Sequence, residues 1–110
     1  MNRFLKHYTT SVKHPNVSGF EHVEMLVMRD KLAVIEHTLP PVEKDQLAKA
    51  DRHLAEQASE FYAELARITD LQYERNQRQV PSSHWWWYLD VLVCAPSLPI
   101  RQPEPDLVPS

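Results

Sequence analysis

Residues 18–41 read SGFEHVEMLVMRDKLAVIEHTLPP and contain the start, the apolar pattern and the end of one helix. Ser18 and Glu21 have the spacing of a capping box, in which each side chain can accept a hydrogen bond from the other residue's free backbone N–H. The pair Pro40-Pro41 ends the helix, because proline lacks a backbone donor and disfavours α geometry at the residue before it. Between these limits, one apolar stripe recurs at helical spacing. It consists of Met25, Met28, Leu32, Ile35 and Leu39.

The same helix carries a second apolar side. At about 100° per residue, a further set of apolar residues falls roughly opposite the first stripe, with charged residues along the edges between the two. A helix that is apolar on two sides is expected to lie between neighbours, as the central element of the fold. The second side consists of Phe20, Val23, Val27 and Val34.

Residues 42–68 predict a second, longer helix with one apolar stripe and an opposite, charged side. Beyond this range the pattern leaves two possibilities. The helix can continue with a kink towards Arg78, or Thr69 and Asp70 can cap a separate short helix. We favour the continuation. The stripe consists of Leu47, Ala50, Leu54, Ala58, Phe61, Leu65 and Ile68.

A tryptophan-rich segment, HWWWYLDVLVC at residues 84–94, predicts a short third helix. Ser82 or Ser83 can cap its start, and a following proline ends it. If this segment is α-helical, Trp85 faces the core and Trp87 points roughly the other way. The third helix is too short to cover a whole side of the central helix.

The composition is that of an ordinary globular protein, with 43% hydrophobic and 25% charged residues. The single glycine, Gly19, favours helices, because a β-rich fold needs several glycines in its tight turns. Five of the nine prolines lie in residues 96–110, which we expect to form an extended, polyproline-like tail. The sequence therefore predicts an all-α protein with a proline-rich C-terminal tail.

Charge, cysteine content and hydropathy argue against several classes of protein. A net charge of −3 gives no case for nucleic acid as a partner, although residues 1–20 are basic. The single cysteine, Cys94, rules out an intramolecular disulfide and fits a reducing compartment. No segment reaches the roughly 20 apolar residues of a membrane span, and the N-terminus lacks the apolar region of a signal peptide. We therefore expect a cytoplasmic protein.

We divide the chain into a basic N-terminal arm (1–17), a helical domain (18–95) and the tail (96–110). The arm suits either a short helix or a strand. An antiparallel hairpin of the first two helices, together with the short third helix, leaves apolar surface on the central helix uncovered. The simplest closure is a homodimer that forms a helical bundle, with the second apolar side as its interface. The alternative is a monomeric bundle in which the arm covers that side.

The three tryptophans allow two interpretations. All of them can belong to the core or to the dimer interface. Alternatively, two of them form an exposed surface for another protein, since aromatic anchors dominate the energetics of interfaces. The partner-binding residues predicted on this second interpretation are Trp86, Trp87 and Asp90.

One polar site is a candidate. Asp30 and His37 lie two turns apart on the central helix and can form an acid–base or metal-binding pair. His84 is the third candidate residue for this site. A solvated pair or a structural hydrogen bond is the simpler interpretation of Asp30 and His37. Asp51 lies near the core edge, and Arg29 or Lys44 can pair with it if it is buried.

No catalytic residue, cofactor or metal site is predicted. The histidines form neither a Glu-x-x-His nor a His-Glu-x-x-His motif, and one glycine cannot build a glycine-rich phosphate loop. Cys94, late in an apolar helix, is expected to be buried and unreactive. The sequence therefore favours a non-enzymatic interaction module, an adaptor or regulator that is homodimeric. The alternative is a small-molecule-binding or enzymatic helical bundle with a pocket near the tryptophans that uses Asp30, His37 or His84.

Overall fold

The computed structural model describes residues 2–94, which form six α-helices and no β-strand. The prediction of an all-α fold is confirmed for this range, whereas the tail predicted at 96–110 lies outside the described residues. The α-helices are α1 (Arg3–Ser11), α2 (Gly19–Ile35), α3 (Pro41–Glu56), α4 (Ala58–Ala66), α5 (Leu71–Arg78) and α6 (Leu89–Cys94), and 3₁₀-helices occupy Glu36–Thr38 and Trp85–Tyr88.

α2 begins where the sequence predicts, but the α-helix ends at Ile35, before the predicted end at Pro40-Pro41. The hydroxyl of Ser18 accepts a hydrogen bond from the backbone N–H of Glu21 at 3.4 Å, which satisfies one of the free donors of the first turn. The 3₁₀-helix Glu36–Thr38 follows, and Pro40 lies just beyond it. The predicted stripe faces the interior: Met25, Leu32 and Leu39 are buried, and Met28 and Ile35 are partly buried.

Residues 3–11 of the predicted N-terminal arm form α1, which packs against α2. The side chain of Asn2 caps this helix by accepting a hydrogen bond from the backbone N–H of Phe4 at 2.8 Å. Leu5, Tyr8 and Val12 are all buried in the core. The arm therefore contributes core residues, and it is helical rather than extended.

The helix predicted at 42–68 is in fact two helices. α3 and α4 meet at Gln57, whose backbone angles (φ −103°, ψ 22°) lie outside the α region, so the prediction of one continuous helix is wrong. The apolar stripe nevertheless continues across the break, because α4 begins at the next residue. The stripe residues Leu47, Ala50, Leu54, Ala58, Phe61 and Leu65 are buried.

α5 is a separate helix, so the favoured continuation towards Arg78 is wrong and the capped alternative is correct. The carboxylate of Asp70 accepts a hydrogen bond from the backbone N–H of Gln72 at 2.8 Å and fixes the start of α5. Gln79 ends the helix in the left-handed region, with φ 51°. This reversal returns the chain towards α2 at the tryptophan segment.

The only glycine of the chain lies at a close approach between α2 and α4. A Cβ atom on Gly19 would collide with the carbonyl oxygen of Glu64 and would lie 2.9 Å from Cγ1 of Ile68. Because this site has no room for a methyl group, glycine lets the start of α2 rest against the end of α4. The contact fixes α2 at the centre of the fold.

Candidate functional site

Asp30 of α2 is a shared acceptor for three side chains of the tryptophan segment. Its Oδ1 accepts hydrogen bonds from Nε1 of Trp86 at 2.8 Å and from Nε1 of Trp87 at 2.9 Å. Nδ1 of His84 lies 2.9 Å from the same oxygen. The carboxylate therefore satisfies two indole N–H groups that would otherwise be buried without partners. We call these four residues the Asp30 hub.

The donors of the hub are grouped at the start of the 3₁₀-helix Trp85–Tyr88, at His84, Trp86 and Trp87. Side chains three residues apart eclipse each other in a 3₁₀-helix, which turns by about 120° per residue. An α-helix, as the sequence predicts here, would turn by only about 100° per residue. The orientation predicted for Trp87 is wrong, because its side chain is fully buried, whereas that of Trp85 is only partly buried.

Arg29 connects the hub to α3. Its guanidinium lies over the ring of Trp86, 4.3 Å from the ring centroid. The Nε and Nη2 atoms donate hydrogen bonds to the two carboxylate oxygens of Asp51 at 2.9 and 3.0 Å, and Nη1 donates to Glu36 at 3.2 Å. Of the two partners that the sequence suggests for Asp51, the structure therefore selects Arg29.

Burial and hydrogen bonds shift pKa values in this cluster. Burial opposes the charged form of Arg29, but the hydrogen bonds and the charge of Asp51 outweigh burial and raise the pKa of Arg29. The hydroxyl of Tyr8 donates to Asp51 at 2.7 Å. Burial, followed by the charge of Asp51, raises the pKa of Tyr8 well above its usual value. Arg29 therefore stays charged and Tyr8 stays neutral at neutral pH, as their hydrogen bonds require.

α5 holds the tryptophan segment from another side. Nη1 of Arg75 donates to the backbone carbonyl of Trp87 at 2.8 Å and to Oδ1 of Asp90 at 2.7 Å. The guanidinium of Arg78 lies 4.9 Å from the ring centroid of Trp87. Asp90 is thus paired within the chain, while Trp86 and Trp87 are 3% and 0% exposed. The expectation of an exposed aromatic surface at these residues is wrong, and both rings belong to the core.

Two of the three residues predicted to form a polar site come together. Asp30 and His84 form a pair, and their side chains are 31% and 21% exposed. His37 lies in the exposed 3₁₀ turn Glu36–Thr38 and is not part of the hub, so the predicted pairing of Asp30 with His37 is wrong. Among residues 2–94, no serine hydroxyl or cysteine thiol is hydrogen-bonded to His84.

No protein-family model, curated protein or solved structure matches this chain. The function of the protein must therefore be inferred from the surfaces and clefts of its structure. Within the part of the chain that the structure describes, no group of three or more His, Cys, Asp or Glu side chains could hold a metal ion. Across the same residues, no helix has both the length and the apolar character that crossing a bilayer requires. Cys94, expected to be buried, is exposed.

The second apolar side of α2 is only partly covered. Val23 and Val27 pack against the core as partly buried residues, whereas Phe20 and Val34 remain 70% and 73% exposed. Phe20, Val27 and Val34 are spaced seven residues apart and therefore lie along one line of the helix. We call these three residues the outer ridge.

The site residues that sequence reasoning misplaced or missed are arginines. Arg29 is one of the charged residues that the helical pattern assigns to the edges of α2. It nevertheless lies four residues after Met25 and three before Leu32, which is the spacing of the buried face. That pattern therefore indicates that Arg29 is buried, and its exposure is 4%. Arg75 offers no such signal, because its partner Asp90 comes from beyond a turn whose geometry the sequence does not reveal.

Proposed function

We propose that the protein is a non-enzymatic interaction module, an adaptor or regulator, that pairs with a second copy of itself through the outer ridge of α2. The observation that carries this proposal is the exposure of the ridge, which is 70% at Phe20 and 73% at Val34. The single cysteine supports a reducing, cytoplasmic location for the dimer.

The spacing of the outer ridge supports pairing between helices. Isolated apolar residues are common on protein surfaces and need no explanation. A row of apolar residues at intervals of seven is instead typical of the seam between two paired helices. Val23 adjoins the row and widens the apolar strip. The ridge therefore has the pattern of an interface rather than that of scattered exposed residues.

Charged residues beside the ridge favour an antiparallel pair. Glu24 and Lys31 are both exposed, lie on the same side of the ridge and are seven residues apart. If a two-fold axis passes beside Val27, Phe20 meets the partner's Val34, and Glu24 lies within about one residue's rise of 1.5 Å from the height of the partner's Lys31. Because of the two-fold symmetry, the contact between Glu24 and the partner's Lys31 then forms twice across the seam. In a parallel pair, Glu24 and the partner's Lys31 would lie on opposite sides of the seam.

Replacing Val34 with lysine should convert the dimer into a monomer, because it places a charge in the apolar seam. Sedimentation equilibrium of the unmodified protein at micromolar concentration should give a mass approaching twice 12.9 kDa. The strip is narrower than a standard interface, so we expect association in the micromolar range.

Val42→Lys is the matched control for this test, since Val42 is 69% exposed but lies on α3, away from the ridge. This variant should sediment like the unmodified protein. A monomeric unmodified protein would contradict the proposal, as would equal effects of the two lysine variants.

A further inference from the structure

A second open surface lies between the end of α1 and the middle of α3, away from both the outer ridge and the Asp30 hub. It is a cleft of about 480 Å³, which is within the range of small-molecule sites. Val12 and Ala50, which are 3% and 6% exposed, contribute apolar side chains from the two helices. The cleft therefore offers an apolar contact to a ligand.

The cleft is lined by two lysines and a histidine and, within the described part of the chain, by no acidic residue. They are Lys13 of the segment after α1 and Lys49 and His53 of α3. The ammonium of Lys49 lies 3.3 Å from the carboxylate of Asp45, so Lys49 already has a partner of opposite charge. Both side chains are exposed. Neither Lys13 nor His53 has an ion-pair partner among residues 2–94. The rim therefore attracts a negatively charged group.

A lining without acidic residues is not shared by two other clefts of similar size. A cleft of about 450 Å³ between α1 and α2 combines Arg3 and Lys6 with Glu21 and Glu24. The cleft beside the start of α2 and the end of α4 measures about 470 Å³, and its charged lining residues are Glu21, Glu24 and Glu74. This last cleft and the cleft between α1 and α3 have comparable volumes but opposite charges, so a basic lining is a property of the cleft between α1 and α3 and not of clefts in this protein generally.

Gln46 adds unused hydrogen-bonding capacity to the basic cleft. Its Oε1 is buried and has no hydrogen-bond partner among the described residues, which is unusual for a buried polar atom. The residue itself is partly exposed and lines the cleft. The amide N–H₂ of the same side chain is a donor that a ligand in the cleft can use, and the buried Oε1 stays unpaired in that arrangement. An acceptor such as a carboxylate matches this donor and the basic rim together.

We infer that this cleft binds a small carboxylic acid with an apolar body. The carboxylate lies at the rim formed by Lys13 and His53 and accepts a hydrogen bond from the Gln46 amide, and the apolar body lies against Val12 and Ala50. This site is independent of the self-association proposed for α2, because the two surfaces share no residue.

The test uses two probes of nearly equal shape, phenylacetate and its neutral analogue phenylacetamide, titrated into the ¹⁵N-labelled full-length protein. Phenylacetate should produce saturable shifts in the backbone amide signals of Val12, Ala50 and His53. Phenylacetamide should bind about fivefold more weakly, which corresponds to the upper end of what one exposed ion pair contributes. Absence of saturable shifts at the cleft, or equal affinity for the two probes, would overturn the inference.

A pair of lysine variants tests the position of the site. Lys13→Glu should weaken phenylacetate binding at least about fivefold, because it reverses the charge at the rim. Lys44→Glu makes the same change on α3 outside the cleft and should leave binding unchanged. Both lysines are exposed, so both variants should fold, which their ¹⁵N spectra will check. Equal binding by the two variants would place the carboxylate elsewhere and overturn the assignment.

Discussion

Replacing Trp87 with alanine should lower the free energy of unfolding by about 3–5 kcal/mol, the usual cost of truncating a buried aromatic side chain. Trp87 is fully buried, and its indole N–H donates to Asp30. The substitution removes this apolar burial and deprives the carboxylate of one of its donors. Urea unfolding followed by circular dichroism measures the change, and an unaltered dependence on urea concentration would show that the unfolding transition is otherwise the same.

Trp85 is the matched control, because it belongs to the same 3₁₀-helix and is only partly buried. It makes an edge contact with Trp86, with the ring centroids 5.9 Å apart. Since it loses less buried area, Trp85→Ala should cost clearly less stability than Trp87→Ala. The reverse order would indicate that the segment is an ordinary α-helix with Trp85 in the core, contrary to this structure.

Replacing Asp30 with alanine should cost about 3 kcal/mol, because it leaves the buried indole N–H groups of Trp86 and Trp87 without an acceptor. Each hydrogen bond to a charged group contributes about 1.5–3 kcal/mol, but bonds that share one acceptor do not add. The 31% exposure of the Asp30 side chain reduces the effect further, since water can reach part of the site. The same urea experiment measures the loss, and the near-ultraviolet circular dichroism of the tryptophans should change with it.

Two further variants make this result specific. Asp30→Asn keeps one side-chain carbonyl oxygen as an acceptor and should lose less stability than Asp30→Ala. Asp45→Ala removes an aspartate that is 64% exposed and paired with Lys49 one turn away, and it should cost at most about 0.5 kcal/mol. If Asp30→Ala were as mild as Asp45→Ala, the hub would not hold the tryptophan segment to α2.

The features that the sequence predicts correctly are those encoded locally. Ser18 caps α2 because its hydroxyl needs only the backbone N–H of Glu21, three residues away. The apolar stripe of α3 and α4 is buried as predicted because periodicity records which side faces the core. The same stripe does not reveal the break at Gln57, since the side chains on both sides of the break still face inward. Periodicity therefore predicts burial better than it predicts helix ends.

The features that the sequence does not predict depend on tertiary contacts. Residues 85–88 are all aromatic, so their pattern shows neither which of them face the core nor whether they form an α-helix or a 3₁₀-helix. The distance along the chain from Asp30 to its indole partners is more than 50 residues. Only the folded chain shows that Asp30 pairs with His84 rather than with His37, which is seven residues away in the sequence. The sequence indicates both Asp30 and His84 as candidate polar-site residues, but it does not indicate that Trp86 and Trp87 donate to the same carboxylate.

The central claim is that α2 is covered by its own chain on one side and by a second copy, antiparallel to it, on the other. Exchanging the two charges beside the outer ridge tests this arrangement directly. Glu24→Lys alone makes both cross-seam pairs basic, and Lys31→Glu alone makes both pairs acidic, so each variant should dissociate through repulsion. Both residues are exposed, and the cation–π contact of Lys31 that the second variant removes is with the ring of Phe4, 5.5 Å from the ring centroid. Such an exposed cation–π contact contributes about 0.5–1 kcal/mol, so each variant should still fold, which circular dichroism checks.

The decisive measurement is sedimentation equilibrium of the two variants, first separately and then mixed in equal amounts. We predict a mass near 12.9 kDa for each variant alone and a mass approaching twice that value for the mixture, because the mixed pair restores two opposite-charge contacts. The contrary result is a mixture that stays monomeric while the unmodified protein is a dimer. That result would show that Glu24 and the partner's Lys31 do not face each other, and the antiparallel pairing of α2 would be wrong.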